Sequence, residues 1–199
     1  MTTKDRITQV SIQLFNDATV GEISTNHIAR AAGISPGNLY YHYRNKEAII
    51  RDIFERMQAE FEAVWLTQSS PVTLADLQGA LRRSFEILWN FRFFYREQLA
   101  LLRCDPLLKQ RYQDIQALRF EQQTAFFNQF IRDGVIRMPS EPEKLRQILT
   151  AAWIISTQWL AFLEINGEQI SSAHHHQGVK LIFAVIEPYL ISSNNREPS

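Results

Sequence analysis

The sequence has very little of several residue types, and each shortage excludes a class of protein. Only one of the 199 residues is cysteine, Cys104, so neither an intramolecular disulfide framework nor a multi-cysteine zinc site can form. Glycine and proline number seven each, which excludes collagen-like and low-complexity chains. Hydrophobic residues make up 45% of the chain, enough for a folded core and too many for an intrinsically disordered protein.

Catalytic and targeting motifs are also missing. The chain contains no Gly-x-Gly phosphate loop, no His-Glu-x-x-His zinc motif and no Gly-x-Ser-x-Gly nucleophile motif, so we expect neither enzyme activity nor a cofactor. Residues 174–176 are three consecutive histidines that would fan over about 200° of a helix, so no metal site is expected. The polar N-terminus lacks the apolar stretch of a signal peptide, which predicts a cytoplasmic protein.

Residues 147–163 carry no charge, and they could be mistaken for a membrane span. The run has only 17 residues and includes polar side chains such as Thr150 and Gln158. A helix that is apolar on most faces is more often buried in a core or a subunit interface. The run therefore predicts a buried helix and no membrane association.

Net charge is also absent, with 21 basic and 21 acidic residues, but the charge is unevenly placed. The window 24–46 contains Arg30, Arg44, Lys46 and two histidines and not one acidic residue. A local basic patch matters more for contact with DNA than the total charge does.

Apolar spacing of three and four residues recurs along nearly the whole chain, and it predicts an all-α protein. With capping signals, it predicts helices over residues 3–17, 25–31, 36–41, 46–66, 73–90, 92–103, 107–133 and 141–165. A last helix is predicted to start at Ser171 or Ser172 and to end near Glu187. The polar stretch 67–71 is the best candidate for a domain boundary. No strand is predicted.

Residues 25–44 fit a helix-turn-helix position by position. Ala29 is small where a second helix would cross the first, Gly33 tolerates the positive φ of a tight turn, and Leu39 points inward to hold the crossing. Such a unit projects its second helix into a major groove of DNA. A chance helical corner shares these spacings, so the pattern alone leaves a purely structural role open.

The helix-turn-helix pattern becomes specific for one protein family when more residues are included. It comprises Ile28-Ala29, Ala32-Gly33-Ile34-Ser35, Gly37, Leu39-Tyr40, His42-Tyr43, Lys46-Glu47 and, thirteen residues before Ile28, Phe15. These residues resemble the N-terminal signature of the TetR family of bacterial transcriptional regulators. The family usually has glycine where this chain has Thr19, and Gly21 is expected to take over that backbone role.

The resemblance implies a DNA-binding surface on the second and third helices, with Lys46 as a phosphate clamp. By its side-chain chemistry Asn38 can bond a base edge or a phosphate, and Tyr41 can pack on a thymine methyl group. Tyr43 is expected to pack against the first helix. The implied DNA-binding residues are Thr25, Asn26, Ser35, Pro36, Gly37, Asn38, Tyr40, Tyr41, His42 and Lys46.

The resemblance also implies three segments. Residues 1–46 would form the helix-turn-helix DNA-binding domain, 47–66 a connecting helix, and 67–191 a helical-bundle ligand-binding and dimerisation domain. The sequence of residues 192–199 itself predicts a disordered tail as a fourth segment. Residues 85–130 hold 11 of the 23 aromatic residues, which suits a pocket for an apolar or flat ligand or, equally, a packed core. The candidate ligand-binding residues are Trp89, Phe93, Tyr112, Phe120 and Phe127.

The last two helices resemble those that pair across the family's dimer axis, and the expected interface residues recur at spacings of three and four. They are Trp153, Ser156, Leu160, Leu163, Leu181 and Val185. The predicted function is a sequence-specific, homodimeric repressor that binds a palindromic double-stranded operator and is released by an unknown small-molecule effector. Two alternatives remain: a helical protein-interaction module without DNA binding, and a helical-bundle enzyme with an unrecognised site.

Overall fold

The computed structural model describes residues 1–65, 71–137, 141–171 and 173–191, without the side chains of Pro142 and His175. These residues form ten α-helices and one short 3₁₀ turn. Within them the β pairing is limited to an isolated antiparallel bridge between Ile136 and Leu190. The predicted all-α class is confirmed. Most of the predicted polar break and the predicted disordered tail lie outside the described residues.

Four helices open the chain: α1 (Thr3–Asp17), α2 (Thr25–Ala31), α3 (Pro36–His42) and α4 (Lys46–Trp65). Each begins at a side chain that accepts a backbone N–H left without an intrahelical partner. Thr2 and Ser24 form reciprocal capping boxes at α1 and α2, and Ser35 accepts the Asn38 N–H at α3. Asn45 Oδ1 accepts the Ala48 N–H at α4. These local signals explain why the predicted boundaries are close to the observed ones.

The next three helices are α5 (Leu74–Asn90), α6 (Arg92–Arg96) and α7 (Gln98–Cys104). The predicted capping box is present, since Thr73 and Asp76 exchange hydrogen bonds at the start of α5. The prediction of one helix over residues 92–103 is wrong, because the backbone leaves the helical conformation at Glu97. The contacts of Arg96 and Glu97 described below account for that break.

The remaining helices are α8 (Pro106–Arg132), α9 (Pro142–Ile165) and α10 (His174–Ile186), followed by the 3₁₀ turn Glu187–Tyr189. Asp105 caps α8 by accepting the N–H groups of Leu107 and Leu108. Gly134 and Gly167 follow α8 and α9 with φ of 72° and 81°, as their predicted C-terminal positions require. Ser140, predicted to start α9, and Ser172, one of the two serines predicted to start α10, lie outside the described residues. The other, Ser171, does not cap α10, whose N-cap residue is Ala173 with no side-chain hydrogen bond.

By their contacts the helices divide into two compact units. The first unit comprises Met1–Phe61 and Asn90–Tyr112, and the second comprises Glu62–Trp89 and Gln113–Ser199. The first unit therefore includes α6, α7 and the start of α8 as well as the N-terminal helices. This division by packing does not follow the predicted segments 1–46, 47–66 and 67–191, which stay a prediction about function.

Aromatic packing joins the two chain segments of the first unit. The ring of Phe15 on α1 lies 5.2 Å from that of Phe93 on α6, and Phe54 on α4 stacks on Phe94 at 5.2 Å. Phe15, Phe54, Phe93 and Phe94 are all buried. Such aromatic pairs add about 0.5–1.5 kcal/mol each beyond the area they bury, so α6 is part of the same core as α1 and α4.

In the second unit a glycine allows three helices to approach closely. A Cβ built on Gly178 of α10 would lie 2.2 Å from Phe85 of α5 and 2.8 Å from Trp159 of α9. The Trp159 indole N–H donates to the carbonyl of His174 at 3.0 Å, which fixes the register of α9 against α10. Gly178 is thus the position at which α5, α9 and α10 meet.

Candidate nucleic-acid interface

The corner between α2 and α3 is a helix end closed by a left-handed glycine. Gly33 has φ of 63°, and the Ile34 N–H donates to Ala29 O at 3.0 Å while the Gly33 N–H donates to Arg30 O at 3.1 Å. This pair of bonds is the Schellman arrangement, which reverses the chain within two residues. The predicted role of Gly33 is confirmed, because a side chain at that φ would be strained.

One buried side chain anchors α3, and most of its other residues face outward. Leu39 is fully buried with Ile28 and Ala29 of α2. Pro36, Gly37, Asn38, Tyr40 and Tyr41 are exposed, and Tyr41 is 86% accessible. Because only Leu39 of this seven-residue helix packs into the core, the outer face of α3 is not needed for packing and is available to a partner.

Two predicted contact residues lie side by side at the edge of this face. The Tyr40 hydroxyl and the Thr25 hydroxyl are 3.0 Å apart, which joins the start of α2 to the middle of α3. Asn26 is exposed next to Thr25 at the N-terminus of α2. Backbone N–H groups at such a helix start, together with hydroxyl and amide side chains, suit the phosphate oxygens of a nucleic-acid backbone.

Lys46 makes contacts that its sequence position did not indicate. Its ammonium donates to Val20 O at 2.6 Å and to Ile23 O at 2.9 Å, so it holds the start of α4 against the loop before α2. An ammonium has three N–H donors, and these two bonds leave one for another acceptor. The predicted phosphate contact of Lys46 stays a prediction, and the residue also has a structural role.

Tyr41, His42 and Tyr43 differ in burial although they are consecutive. Tyr41 is exposed and its ring meets that of half-buried His42 edge-on at 5.2 Å. Tyr43 is buried, and Lys4 of α1 lies 5.4 Å above its ring. The expected packing of Tyr43 against the first helix is confirmed.

A charged cluster beneath Tyr43 holds α1 and α4 together. The Tyr43 hydroxyl donates to Asp52 at 2.7 Å, Lys4 lies 3.1 Å from the same carboxylate, and Arg56 bridges it to Asp5. Burial and the bond to Asp52 raise the pKa of Tyr43 well above its ordinary value. Although burial opposes ionisation of Asp52, hydrogen bonds from Tyr43, Lys4 and Arg56 hold its pKa below the ordinary value. The hydroxyl therefore stays protonated and the carboxylate ionised near neutral pH.

The loop between α1 and α2 does not use a glycine in the expected way. Among the described residues only Gly33, Gly134 and Gly167 have positive φ, so the expectation that Gly21 takes a special backbone role is wrong. Thr19 stabilises the turn instead, because its N–H and its hydroxyl both donate to Glu22 at 3.0 Å. These bonds lower the pKa of Glu22.

Three residues support the loop between α1 and α2 in a way that the sequence did not predict. Asn16 donates to Asn90 O and accepts the Phe93 N–H, and Arg96 donates to Phe15 O and Ala18 O at the C-terminal end of α1. Glu97 accepts the Val20 N–H at 2.9 Å. Since these partners are 74–81 residues apart, no local signal could have paired them.

The candidate ligand aromatics are divided between the two units. Phe93 and Tyr112 belong to the first unit, where Phe93 packs on Phe15 and Tyr112 lies near Phe54. Trp89, Phe120 and Phe127 belong to the second unit. Phe127 is buried beside a void of about 10 Å³, which is no larger than one water probe. Phe93 and Phe127 therefore have core environments in this structure.

The stripe of α9 that holds the predicted interface residues is the one that packs against the rest of the chain. Leu160 and Leu163 are buried, and Trp153 and Ser156 are half-buried. The opposite stripe of α9 is exposed and apolar, with Ile154, Phe162 and Ile165 all more than half accessible. On α10, Leu181 is exposed and Val185 half-buried.

One described helix, over Glu143–Ile165, is long and apolar enough to cross a membrane by length and composition. A helix of a soluble protein can pass the same test. Within the described residues, no group of three or more potential metal ligands was found.

Comparisons with known proteins agree across the whole chain. A family of bacterial regulatory proteins, the tetR family, matches residues 7–53, and a bacterial transcriptional repressor family named TetR matches residues 55–197. A solved TetR-family transcriptional regulator from Marinobacter aquaeolei is 35% identical, with a TM-score of 0.86 over 100% of this chain and 95% of that one.

Two more distant relatives add to the comparison. The HTH-type transcriptional repressor KstR2 of Mycolicibacterium smegmatis is 29% identical over 89 residues, so the matched part spans 43% of this chain and 42% of KstR2. The structure of a SmeT–triclosan complex has a TM-score of 0.65 at 17% identity over 100% of this chain and 97% of that one.

Proposed function

The chain belongs to the TetR family of bacterial transcriptional regulators, and from this premise we propose that it is a cytoplasmic repressor. It binds a palindromic operator as a homodimer and leaves it when a small molecule binds. The observation that supports DNA binding most strongly is the exposed face of α3, anchored by Leu39 alone. A helix held in this way can enter a major groove without disturbing the core beneath it.

The contacts divide into those that position the protein and those that specify a sequence. Thr25 and Tyr40 lie side by side at the edge of the corner, and their hydroxyls suit phosphates, as do the side chains of exposed Asn26 and half-buried His42. Asn38 and Tyr41 are exposed on α3. An amide bonds well to an adenine edge, and an aromatic ring can pack on a thymine methyl group.

Selection of bound fragments from the source genome tests DNA binding and gives the operator. Asn38→Ala should then lower operator affinity by about 1–3 kcal/mol and change the preferred base at one position in each half-site. Gln9→Ala removes another exposed amide of the first unit and serves as the control. A protein that binds no duplex DNA at moderate salt would favour an interaction module or an enzyme instead.

The exposed apolar stripe of α9, with Leu181 of α10, is the proposed dimer surface. Ile154, Phe162 and Ile165 lie on one side of the helix and are large, apolar and accessible. A second copy would cover them in a two-fold arrangement. A two-fold dimer has two α3 helices, one for each half-site of a palindrome, and such half-sites lie about 34 Å apart.

Phe162→Arg tests this surface, because burying an unpaired charge between two copies costs several kcal/mol. We expect the variant to be a monomer by light scattering and to lose operator affinity. Leu107→Arg, which changes an exposed leucine of the first unit, should remain a dimer. A wild-type protein that is monomeric at micromolar concentration would refute the dimer, and one recovered with membranes would assign the stripe to lipid.

The effector site is proposed to lie in the second unit near Trp89 and Phe120. Both are half-buried, and Arg146 lies 5.5 Å above the ring of Phe120. The SmeT fold was determined with triclosan, so a fold of this kind can hold a small organic molecule. Binding there would shift the dimer toward a state with lower operator affinity.

A screen for compounds that raise the melting temperature of the protein identifies candidate effectors for a direct test. Phe120→Ala should change their effect on operator affinity and leave operator affinity without them nearly intact. Phe130→Ala, a change in the core, should instead lower stability by about 3–5 kcal/mol and damage both activities. If Phe120→Ala behaves like Phe130→Ala, Phe120 belongs to the core.

A further inference from the structure

A cavity of about 260 Å³ lies within the first unit, next to Lys46. Its apolar wall consists of Val20, Ile50, Leu101 and Leu108, which come from the loop before α2, from α4, from α7 and from α8. All four side chains are buried, whereas Ala100 and Cys104 in the same lining are exposed. The cavity is therefore open to solvent at α7 and large enough for a small organic molecule.

The charged residues of the lining are predominantly acidic. They are Lys46, Glu47, Glu97 and Asp105. Asp105 pairs with Arg51 at 2.6 Å, and Glu97 accepts the Val20 N–H and lies 3.7 Å from Arg96.

Glu47 differs from the other two carboxylates. It is half-buried, and within the part of the chain that the structure describes it has no ion pair. A half-buried carboxylate beside an apolar wall is complementary to a cation that carries an apolar group, since burial of the apolar part and the charge pair act together. The Lys46 ammonium, by contrast, is held by two carbonyl oxygens.

We propose that this cavity is a second effector site, which takes a small lipophilic amine with its ammonium at Glu47. The site lies in the first unit, which contains α2 and α3, whereas the effector site proposed above lies in the second unit. A second cation close to Lys46 would weaken the bonds from Lys46 to Val20 O and Ile23 O. Because those bonds hold the loop before α2, occupancy of the cavity lowers operator affinity.

Benzylamine and benzyl alcohol form a suitable pair of probes, because they have nearly the same shape and differ in charge. Calorimetry should give a dissociation constant of about 1 mM or lower for benzylamine. Glu47→Gln should weaken benzylamine binding at least about fivefold and leave benzyl alcohol unaffected. Glu62→Gln, which changes an exposed carboxylate of α4 outside the lining, is the matched control. Absence of benzylamine binding, or equal loss in both variants, would overturn the proposed site.

Two further changes test the location. Ala100→Trp fills the opening and should abolish benzylamine binding, while Leu99→Trp, at the neighbouring exposed residue outside the lining, should not. Cys104 is the only cysteine, so a benzyl methanethiosulfonate reagent can block the same opening without a mutation. Bound benzylamine should also slow that labelling reaction. Binding that survives both the Trp plug and the label would place the amine elsewhere and refute the proposal.

Operator affinity measured with and without benzylamine tests the proposed effect of the cavity on DNA binding. Saturating benzylamine should lower the operator affinity of the wild type at least about fivefold and leave that of Ala100→Trp unchanged. Binding at Glu47 without any change in operator affinity would overturn the coupling. The calorimetric measurements do not require DNA, so failure of the amine site can be distinguished from failure of the proposed repressor function.

Discussion

Replacing Lys46 by methionine separates the two roles that this side chain can have. Methionine keeps the length and most of the apolar stem and removes the ammonium that donates to Val20 O and Ile23 O. A hydrogen bond from a charged group contributes about 1.5–3 kcal/mol when buried. Lys46 is only half-buried and water can replace part of each bond, so we expect a total loss of about 1–2 kcal/mol.

Urea unfolding at fixed protein concentration measures this loss. With a slope of about 2 kcal/mol per molar urea, the midpoint should fall by about 0.5–1 M. Hydrogen exchange gives the location, because the amides of residues 18–31 should exchange faster while those of α9 do not change. Lys109→Met, at an exposed lysine of the first unit, is the control and should leave both measurements unchanged.

The salt dependence of operator binding tests the phosphate contact independently. If the third N–H of Lys46 meets a phosphate, the slope of log affinity against log salt should become shallower by about 0.9 in Lys46→Met. A loss of affinity with an unchanged slope would refute the phosphate contact and leave the loop contact in place. Unchanged stability and unchanged exchange at residues 18–31 would refute the reasoning from the two carbonyl bonds.

Three other changes have equally defined outcomes. Gly178→Ala should lower stability by about 1–3 kcal/mol because its Cβ would overlap Phe85, whereas Gly79→Ala, whose Cβ meets only the flexible end of Arg83, should not destabilise the protein in the same thermal melts. Tyr43→Phe should cost about 1–2 kcal/mol at neutral pH by loss of the bond to Asp52. Since folding raises the Tyr43 pKa above its ordinary value of 10, the wild type should lose this advantage as the pH rises above 10, which urea titrations at several pH values would detect. Arg96→Met should speed hydrogen exchange at the C-terminal end of α1, because it removes the donors to Phe15 O and Ala18 O.

The features predicted from the sequence are those whose causes are local. Ser35 and Pro36 start α3 because capping needs only the next three residues, and Gly33 ends the corner because its own φ requires glycine. The break at Glu97 has no proline or glycine to mark it. It lies where Arg96 and Glu97 contact α1 and the loop after it, and those partners are far away in the sequence.

The exposed side of α9 shows why hydrophobic periodicity alone does not decide which stripe of a helix is left for a partner. Residues 147–163 contain no charge, so hydrophobic periodicity selects no unique outer face. The side of α9 that is covered within the chain is decided by close packing with α10, where Gly178 lacks a Cβ and Trp159 bonds to the carbonyl of His174. Those contacts turn Leu160 and Leu163 inward and leave Phe162 outside. A dimer surface on a charge-free helix therefore has to be inferred from the apolar area that remains after the protomer has packed.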